Sequence, residues 1–255
     1  MTGTHYIEAN NLSLAWGRAA RLVAHAGAGE VGSLAVAITG FSTQGDAVED
    51  NGIRFELERL LRARHQQSVE TVSNTIFPSS LWNPAAPRSD LFERYERIVP
   101  KLKKYRANMH GTYFDRMVSG GPAGKENQLD FAIRTYTQRK GVRRSVLQIG
   151  VFDPHKDHSA SALRGFPCLQ HVTFAPTHEG LLVNAFYATQ YMIERAYGNY
   201  LGLCRLGQFV AHELDRPLTR VTTFIGLAER DGTVKGLQPV LGAVASFEKQ
   251  AGRET

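Results

Sequence analysis

"CLQHVTFAPTHEGLLVNAFYAT", residues 168–189, contains two apolar-rich segments, Cys168–Pro176 and Gly180–Thr189, joined by the short turn "PTHEG". Short runs rich in Val, Leu, Phe and Tyr, separated by a few residues with Gly and Pro, read as a β-hairpin. Upstream, "RRSVLQIGVFD" (143–153) reads as a further strand, opened by two arginines. Downstream, a long helix is expected from about Gln190 to Glu213, then a last strand in "LTRVTTFIGLA" (218–228). Neighbouring strands linked this closely point to a mostly antiparallel sheet.

The amino-terminal half is more helical. Asn11 or Ser13 could cap "LAWGRAARLVAHAG" (14–27), whose apolar residues recur at helical spacing and which ends in Gly27. "GSLAVAITGF" (32–41) reads as a strand and "NGIRFELERLLRARHQQ" (51–67) as an amphipathic helix. Residues 68–90 contain Pro78, Pro84 and Pro87 and are expected to be loop-rich. "DLFERYERIVPKLKKY" (90–105) should be helical around a break at Pro100. "NQLDFAIRTYTQRKG" (127–141) should be a helix capped by Asn127 and stopped at Gly141. With no repeat, low-complexity tract or linker in sight, the 255 residues read as one α+β domain.

Hydrophobic and charged residues make up 42% and 21% of the chain, the balance of an ordinary globular protein. Runs such as "SLAVAI" and "GLLVNAF" are too short to span a bilayer, so no membrane partner is expected. "MTGTHYIEAN" lacks the basic segment and apolar core of a signal peptide. Two cysteines suggest no disulfide framework, and a cytoplasmic setting is the expectation. The net charge of +6 sits mostly in "ERLLRARH", "RIVPKLKKYR" and "RKGVRR". No aromatic RNA-binding motif or Cys/His finger accompanies these stretches, which disfavours nucleic acid and leaves solvated helix faces or a phosphorylated small molecule.

Cys168, preceded by Pro167, is the residue with the most chemical potential. It is either a small apolar side chain in a strand or a thiolate set out for reaction. The second role needs a cation or oriented donors nearby. Arg164, four residues before it, and the pair Arg143–Arg144 supply cations that the sequence alone cannot place.

From "NQLDFAIRTYTQRKG" through the Arg143–Arg144 pair, "FPCLQHVTF" and "GLLVNAFYATQYMIERAYGNYLGLC", the order of segments resembles thymidylate synthases and the related pyrimidine hydroxymethylases. The resemblance is clear over about residues 108–213. It implies a three-layer fold with a mostly antiparallel or mixed sheet flanked by helices. It also implies a homodimer, a pyrimidine nucleotide or nucleoside as substrate, and 5,10-methylenetetrahydrofolate as one-carbon donor. In the family a cysteine thiolate adds to C6 of the pyrimidine, and C5 then takes the one-carbon unit as methyl or hydroxymethyl.

By position, Cys168 resembles the nucleophile and Asn199 the amide that reads the ring edge, since an amide donates and accepts at once. Arg143 and Arg144 resemble the pair that reaches a phosphate across the dimer, a task suited to guanidinium forks. Asp153 closes the strand where the family has Trp-Asn, and is the further substrate-side position implied. Tyr113 stands where the family has a tyrosine beside the cysteine; Glu70 is the candidate general acid/base, with a raised pKa; Trp82 is the candidate folate-pocket tryptophan. Taken without the family, Tyr113 and Trp82 are equally ordinary core aromatics, Glu70 a surface carboxylate and Asn199 a helix residue bonding locally.

The departures are specific. Where the family has Arg-Ser-x-Asp, this chain has Ala188, Thr189 and Tyr191. Alanine cannot grip a phosphate. The family's late His-x-Tyr pair is absent from "TTFIGLA", and Leu169 replaces the common histidine after the cysteine. A catalytically altered protein that binds a nucleotide without turning it over is therefore the alternative expectation.

Overall fold

The computed structural model describes residues 3–121, 124, 126–158, 160 and 167–251. In chain order the elements are β1 (His5–Ala9), α1 (Leu12–His25), β2 (Glu30–Ile38), α2 (Asn51–Ala63), α3 (Val69–Asn74), α4 (Arg88–Leu102), α5 (Tyr113–Met117), α6 (Gln128–Gln138), β3 (Gln148–Gly150), α7 (Pro154–Asp157), β4 (Leu169–Pro176), β5 (Leu181–Tyr191), α8 (Tyr197–Glu213), β6 (Leu218–Glu229) and α9 (Val234–Ala251). The strands form one sheet in the order β1-β2-β6-β5-β4-β3. The β4–β5, β3–β4 and β2–β6 pairings are antiparallel, while β1–β2 and β5–β6 are parallel. The sheet is thus mixed, within the mostly antiparallel or mixed expectation, and the α+β class expected from sequence is the one that forms.

The β4–β5 hairpin closes as its sequence suggests. Thr177 N donates to Gly180 O at 2.8 Å, and Thr177 Oγ1 accepts from the N–H groups of Glu179 and Gly180. Gly180 adopts a φ of 148°, and a Cβ there would stand 2.4 Å from the carbonyl oxygen of Pro217. Only glycine fits both demands.

Most helix starts carry a short polar cap: Asn11, Asp50, Ser68, Thr112 and Asn127 each accept from a backbone N–H three residues on. Such caps satisfy donors that the first helical turn leaves unpaired. Of the two candidates at the first helix, Asn11 is the cap. Ser13 instead bonds Tyr197 Oη at 2.7 Å and accepts from Asp50 N at 2.8 Å.

Several boundaries depart from expectation. Arg144–Val146 is a 3-10 turn and the following strand is only Gln148–Gly150, so the arginine pair does not open a strand. The proline-rich segment 68–90 contains α3, and α4 passes through Pro100 without a break. Pro100 lies in the final turn, where the absent N–H removes a single bond. Helix α8 begins at Tyr197 rather than Gln190; β5 runs on to Tyr191 and a π-type turn, Met192–Ala196, intervenes. β1 and α9 were not foreseen.

Helices α1, α8 and α9 pack over one face of the sheet around a buried apolar core. On the opposite face Tyr6, Phe224 and Phe186 are exposed in a register row that also holds Ala35, His171 and Gly150. Tyr6, Phe186 and Phe224 are 58%, 47% and 45% exposed. On the covered side α3 lies directly on the backbone of α8. A Cβ at Gly198 would meet Val72 Cβ at 2.6 Å, and one at Gly202 would meet Ser73 O at 2.7 Å. None of the described helices is long and apolar enough to cross a membrane.

Candidate functional site

Cys168 immediately precedes β4, and its carbonyl accepts from Ala188 N at 3.0 Å, which fixes its backbone against β5. The side chain is half-buried, with Sγ 3.6 Å from Thr189 Oγ1. Tyr113 opens α5 beneath the Thr112 cap and packs beside the sulfur. Burial pushes its phenol up to about 12, and the neighbouring Cys168 adds to that rise. The N–H groups of Leu169 and Cys168 and the charge of Arg195 act against it. The other cysteine differs sharply: Cys204, inside α8, is sealed, and burial drives its thiol far above the ordinary range. An apolar enclosure disfavours the thiolate needed for nucleophilic chemistry. Of the two thiols, Cys168 is the accessible one.

Around the sulfur lies a polar group of residues that the sequence did not single out as a set. Tyr187, on β5, is fully buried, and its hydroxyl meets no hydrogen-bond partner among the described residues. Its phenol is raised mainly by burial, and then by Tyr113, Tyr200 and Cys168. Tyr200 Oη donates to Gln190 Oε1 at 3.1 Å, while Gln190 Nε2 is buried and unpartnered. Buried polar groups in folded proteins are nearly always paired. Tyr187 Oη and Gln190 Nε2 share this condition with Asn74 Oδ1 and Thr223 Oγ1 among the described residues.

The Met192–Ala196 turn borders the group and is pinned by Asp231, whose carboxylate accepts from the N–H groups of Ile193 and Glu194 at 2.8 and 2.5 Å. Burial pushes Asp231 up to about 6 despite those bonds. Within the turn, Arg195 donates through Nη1 to Gln67 Oε1. On its outer side lies a depression of about 700 Å³ lined by Arg64, Tyr191, Glu194, Asp231, Gly232 and Thr233.

Other positions suggested by the sequence fall elsewhere. Glu70, on α3, forms a two-pronged ion pair with Arg205 of α8 at 2.6 and 3.0 Å, and Arg205 also donates to Ser73 Oγ. Its carboxyl is lowered, first by the bond from Arg205, which is opposite to the raised value expected of a proton shuttle. No contact joins it to Cys168. Asn199 is buried in α8.

Arg143 and Arg144 are exposed on the 3-10 turn, with no ion-pair partner among the described residues. Asp153 caps α7 through His155 N and pairs with Lys156. Trp82 contacts Phe77, Phe209 and His212 with ring centroids 5.7–6.0 Å apart, in a cluster reaching α5 through Phe77 and Phe114. Arg164 lies outside the described residues. The structure therefore gathers Cys168 and Tyr113 and adds Thr189, with Tyr187 on the same strand. No family model and no curated protein matches the chain.

Proposed function

We propose that the chain is a transferase acting at C5 of a uracil-type pyrimidine, with Cys168 as nucleophile. The observation that carries this reading is the placement of the half-exposed Cys168 Sγ beside Tyr113 and 3.6 Å from Thr189 Oγ1, next to buried polar groups with unmet hydrogen-bonding capacity. A flat heterocycle with several acceptors and donors is the kind of molecule that such a surface can pair.

The thiolate would add to C6 and so make C5 nucleophilic. C5 would bond the methylene carbon of the folate and lose its proton, and the bond from that carbon to the folate nitrogen would break. Addition of water, or of a hydride from the tetrahydrofolate, to the resulting exocyclic methylene would complete the one-carbon group as the thiolate is expelled. Thr189 Oγ1 and Tyr113 are the groups placed to hold the sulfur and to exclude water from it. Methylenetetrahydrofolate enters this reading as co-substrate and supplies the carbon. Trp82 does not fit as its platform, since three neighbouring rings already engage it; no step is assigned there. The apolar register row on the bare sheet face supports the expected homodimer, because a second copy could cover Tyr6, Phe186 and Phe224.

The reading is tested by tritium release from C5-labelled UMP, dUMP and uridine in the presence of methylenetetrahydrofolate. Release that is lost in Cys168→Ala is the expected result. Release from none of the three, or release unchanged in the variant, rules the reading out.

A second reading, a nucleotide-binding protein without turnover, is favoured by the Glu70–Arg205 pair, which holds the candidate proton shuttle in its charged form. A thermal midpoint raised by a pyrimidine nucleotide, indifferent to folate and without tritium release, would select it.

A further inference from the structure

Helix α4 ends at Leu102, which packs on the core with Ile98 and Val99, and the chain then leaves the core through a run of tight turns. The N–H groups of Lys104, Tyr105, Asn108 and Gly111 each donate to a carbonyl three residues back, at 2.8–3.3 Å. The backbone is held by these bonds, while most side chains from Lys101 to His110 stand in solvent.

Positive charge collects there. Arg97, Lys101, Lys103, Lys104 and Arg106 fall close together, and no aspartate or glutamate occurs between positions 97 and 114. These residues account for most of the net charge of +6. Among the described residues only Lys103 has a carboxylate partner, Asp115 at 3.2 Å. The helix dipole favours Lys101 and Lys103 in the last turn, but it fades before Lys104 and Arg106. On α2, by contrast, Arg54 pairs with Glu58 and Arg59 with Glu56.

A second observation concerns apolar surface. Tyr105, between Lys104 and Arg106, is 67% exposed, the highest value for a large apolar side chain among the described residues, and Met109 is 55% exposed. An exposed ring set between cations suits a single nucleic-acid strand, whose phosphates meet the charges while a base stacks on the ring. The other basic stretch, Arg139–Arg144, has exposed cations but no exposed aromatic. A membrane surface would call for a wider apolar footprint than one phenol and one thioether.

We infer that the end of α4, from Arg97 to His110, binds single-stranded RNA or DNA, with a base on Tyr105 and phosphates at Lys104 and Arg106. No known RNA-binding motif marks the segment in the sequence; the exposed ring and the scarcity of ion-pair partners become visible only in the fold. Binding here is independent of chemistry at Cys168.

The experiment is fluorescence anisotropy with the full chain and labelled oligouridylate or oligodeoxyuridylate. With strands of about 20 nucleotides and salt from about 50 to 200 mM, log affinity should fall against log salt with a slope of about −3, as four or five phosphate contacts require. K104Q/R106Q should bring that slope closer to zero by about 1.4, the share of two contacts. Y105A should weaken binding about tenfold and leave the slope unchanged. R139Q/K140Q, which removes the same charge elsewhere, should bind as the unaltered chain does. Stronger binding of the ribose strand assigns a contact to the 2′-hydroxyl; equal binding assigns phosphate and ring contacts alone.

No binding of either strand at the lowest salt overturns the inference, as does an equal loss in R139Q/K140Q and K104Q/R106Q, or a Y105A chain that binds normally. Displacement of the strand by UMP would put it at the Cys168 site and overturns it too. Vesicles of phosphatidylserine and phosphatidylcholine provide the last arm. Vesicle binding that K104Q/R106Q abolishes, with both strands failing to bind, overturns the inference in favour of a membrane surface.

Discussion

Tyr197 and Tyr187 stand ten residues apart, on either side of the Met192–Ala196 turn, and both are sealed from solvent. Tyr197 is fully engaged: its hydroxyl bonds Ser13 Oγ and Glu49 Oε2, each at 2.7 Å, Trp16 meets its ring edge-on, and the Arg54 guanidinium lies 5.4 Å from the ring centre. Tyr187 buries a hydroxyl of the same chemistry that meets nothing. The first arrangement is what a stable core requires. The second is a local cost that the fold bears beside its accessible thiol, and strained or unsatisfied groups of this kind concentrate where a protein meets its ligand.

Three measurements press on that contrast. The largest effect should come from a still more complete polar cluster, where Arg116 holds the almost fully buried Asp157 through two bonds of 2.7 and 2.9 Å. Arg116→Ala should cost about 3 kcal/mol in urea unfolding, because it strips two charge-assisted bonds from a buried carboxylate. A loss below about 1 kcal/mol would show that this cluster is not the structural element described here.

Tyr197→Phe comes next. It removes two hydrogen bonds, one of them to a carboxylate, and should lower stability by about 2 kcal/mol. Tyr187→Phe is the smallest and carries the opposite sign. Stability should hold or rise by up to about 1 kcal/mol, since an unpaired hydroxyl leaves the core. If it instead falls as far as in Tyr197→Phe, the hydroxyl has a partner in the unliganded protein and the two tyrosines are alike.

Much of the scaffold could be read from the chain because local chemistry and tertiary packing agree there. Asn127 and Gly141 bracket α6, and the Thr177–Gly180 turn sets β4 against β5. The misses have physical causes. Residues 68–90 read as loop because of three prolines, yet the first, Pro78, lies beyond the end of α3. β1 is five residues long with alternating burial, too brief a pattern to stand out, and it forms by pairing with β2. α9 has its buried Leu237, Val240, Leu241 and Val244 at helical spacing, a signal present in the sequence itself.

At the site, Cys168 and Tyr113 could be named, but the cluster around them could not. Tyr187 and Gln190 acquire meaning only in the folded sheet, where burial leaves a polar atom of each without a partner among the described residues. In a linear sequence "YATQY" is notable chiefly for the charge it lacks.

The close seating of α3 on α8 reaches further than packing. Gly198 and Gly202 let the two backbones touch, and Gln67 stands two residues before α3 begins. The same side chain steadies the guanidinium of Arg195. A single methyl group added at either glycine would lift α3 away and carry that amide with it. Two residues that bring no functional group of their own thus act as a spacer gauge for a charge several ångströms distant, and mutational tolerance at positions 198 and 202 should track the aim of Arg195 as closely as it tracks folding.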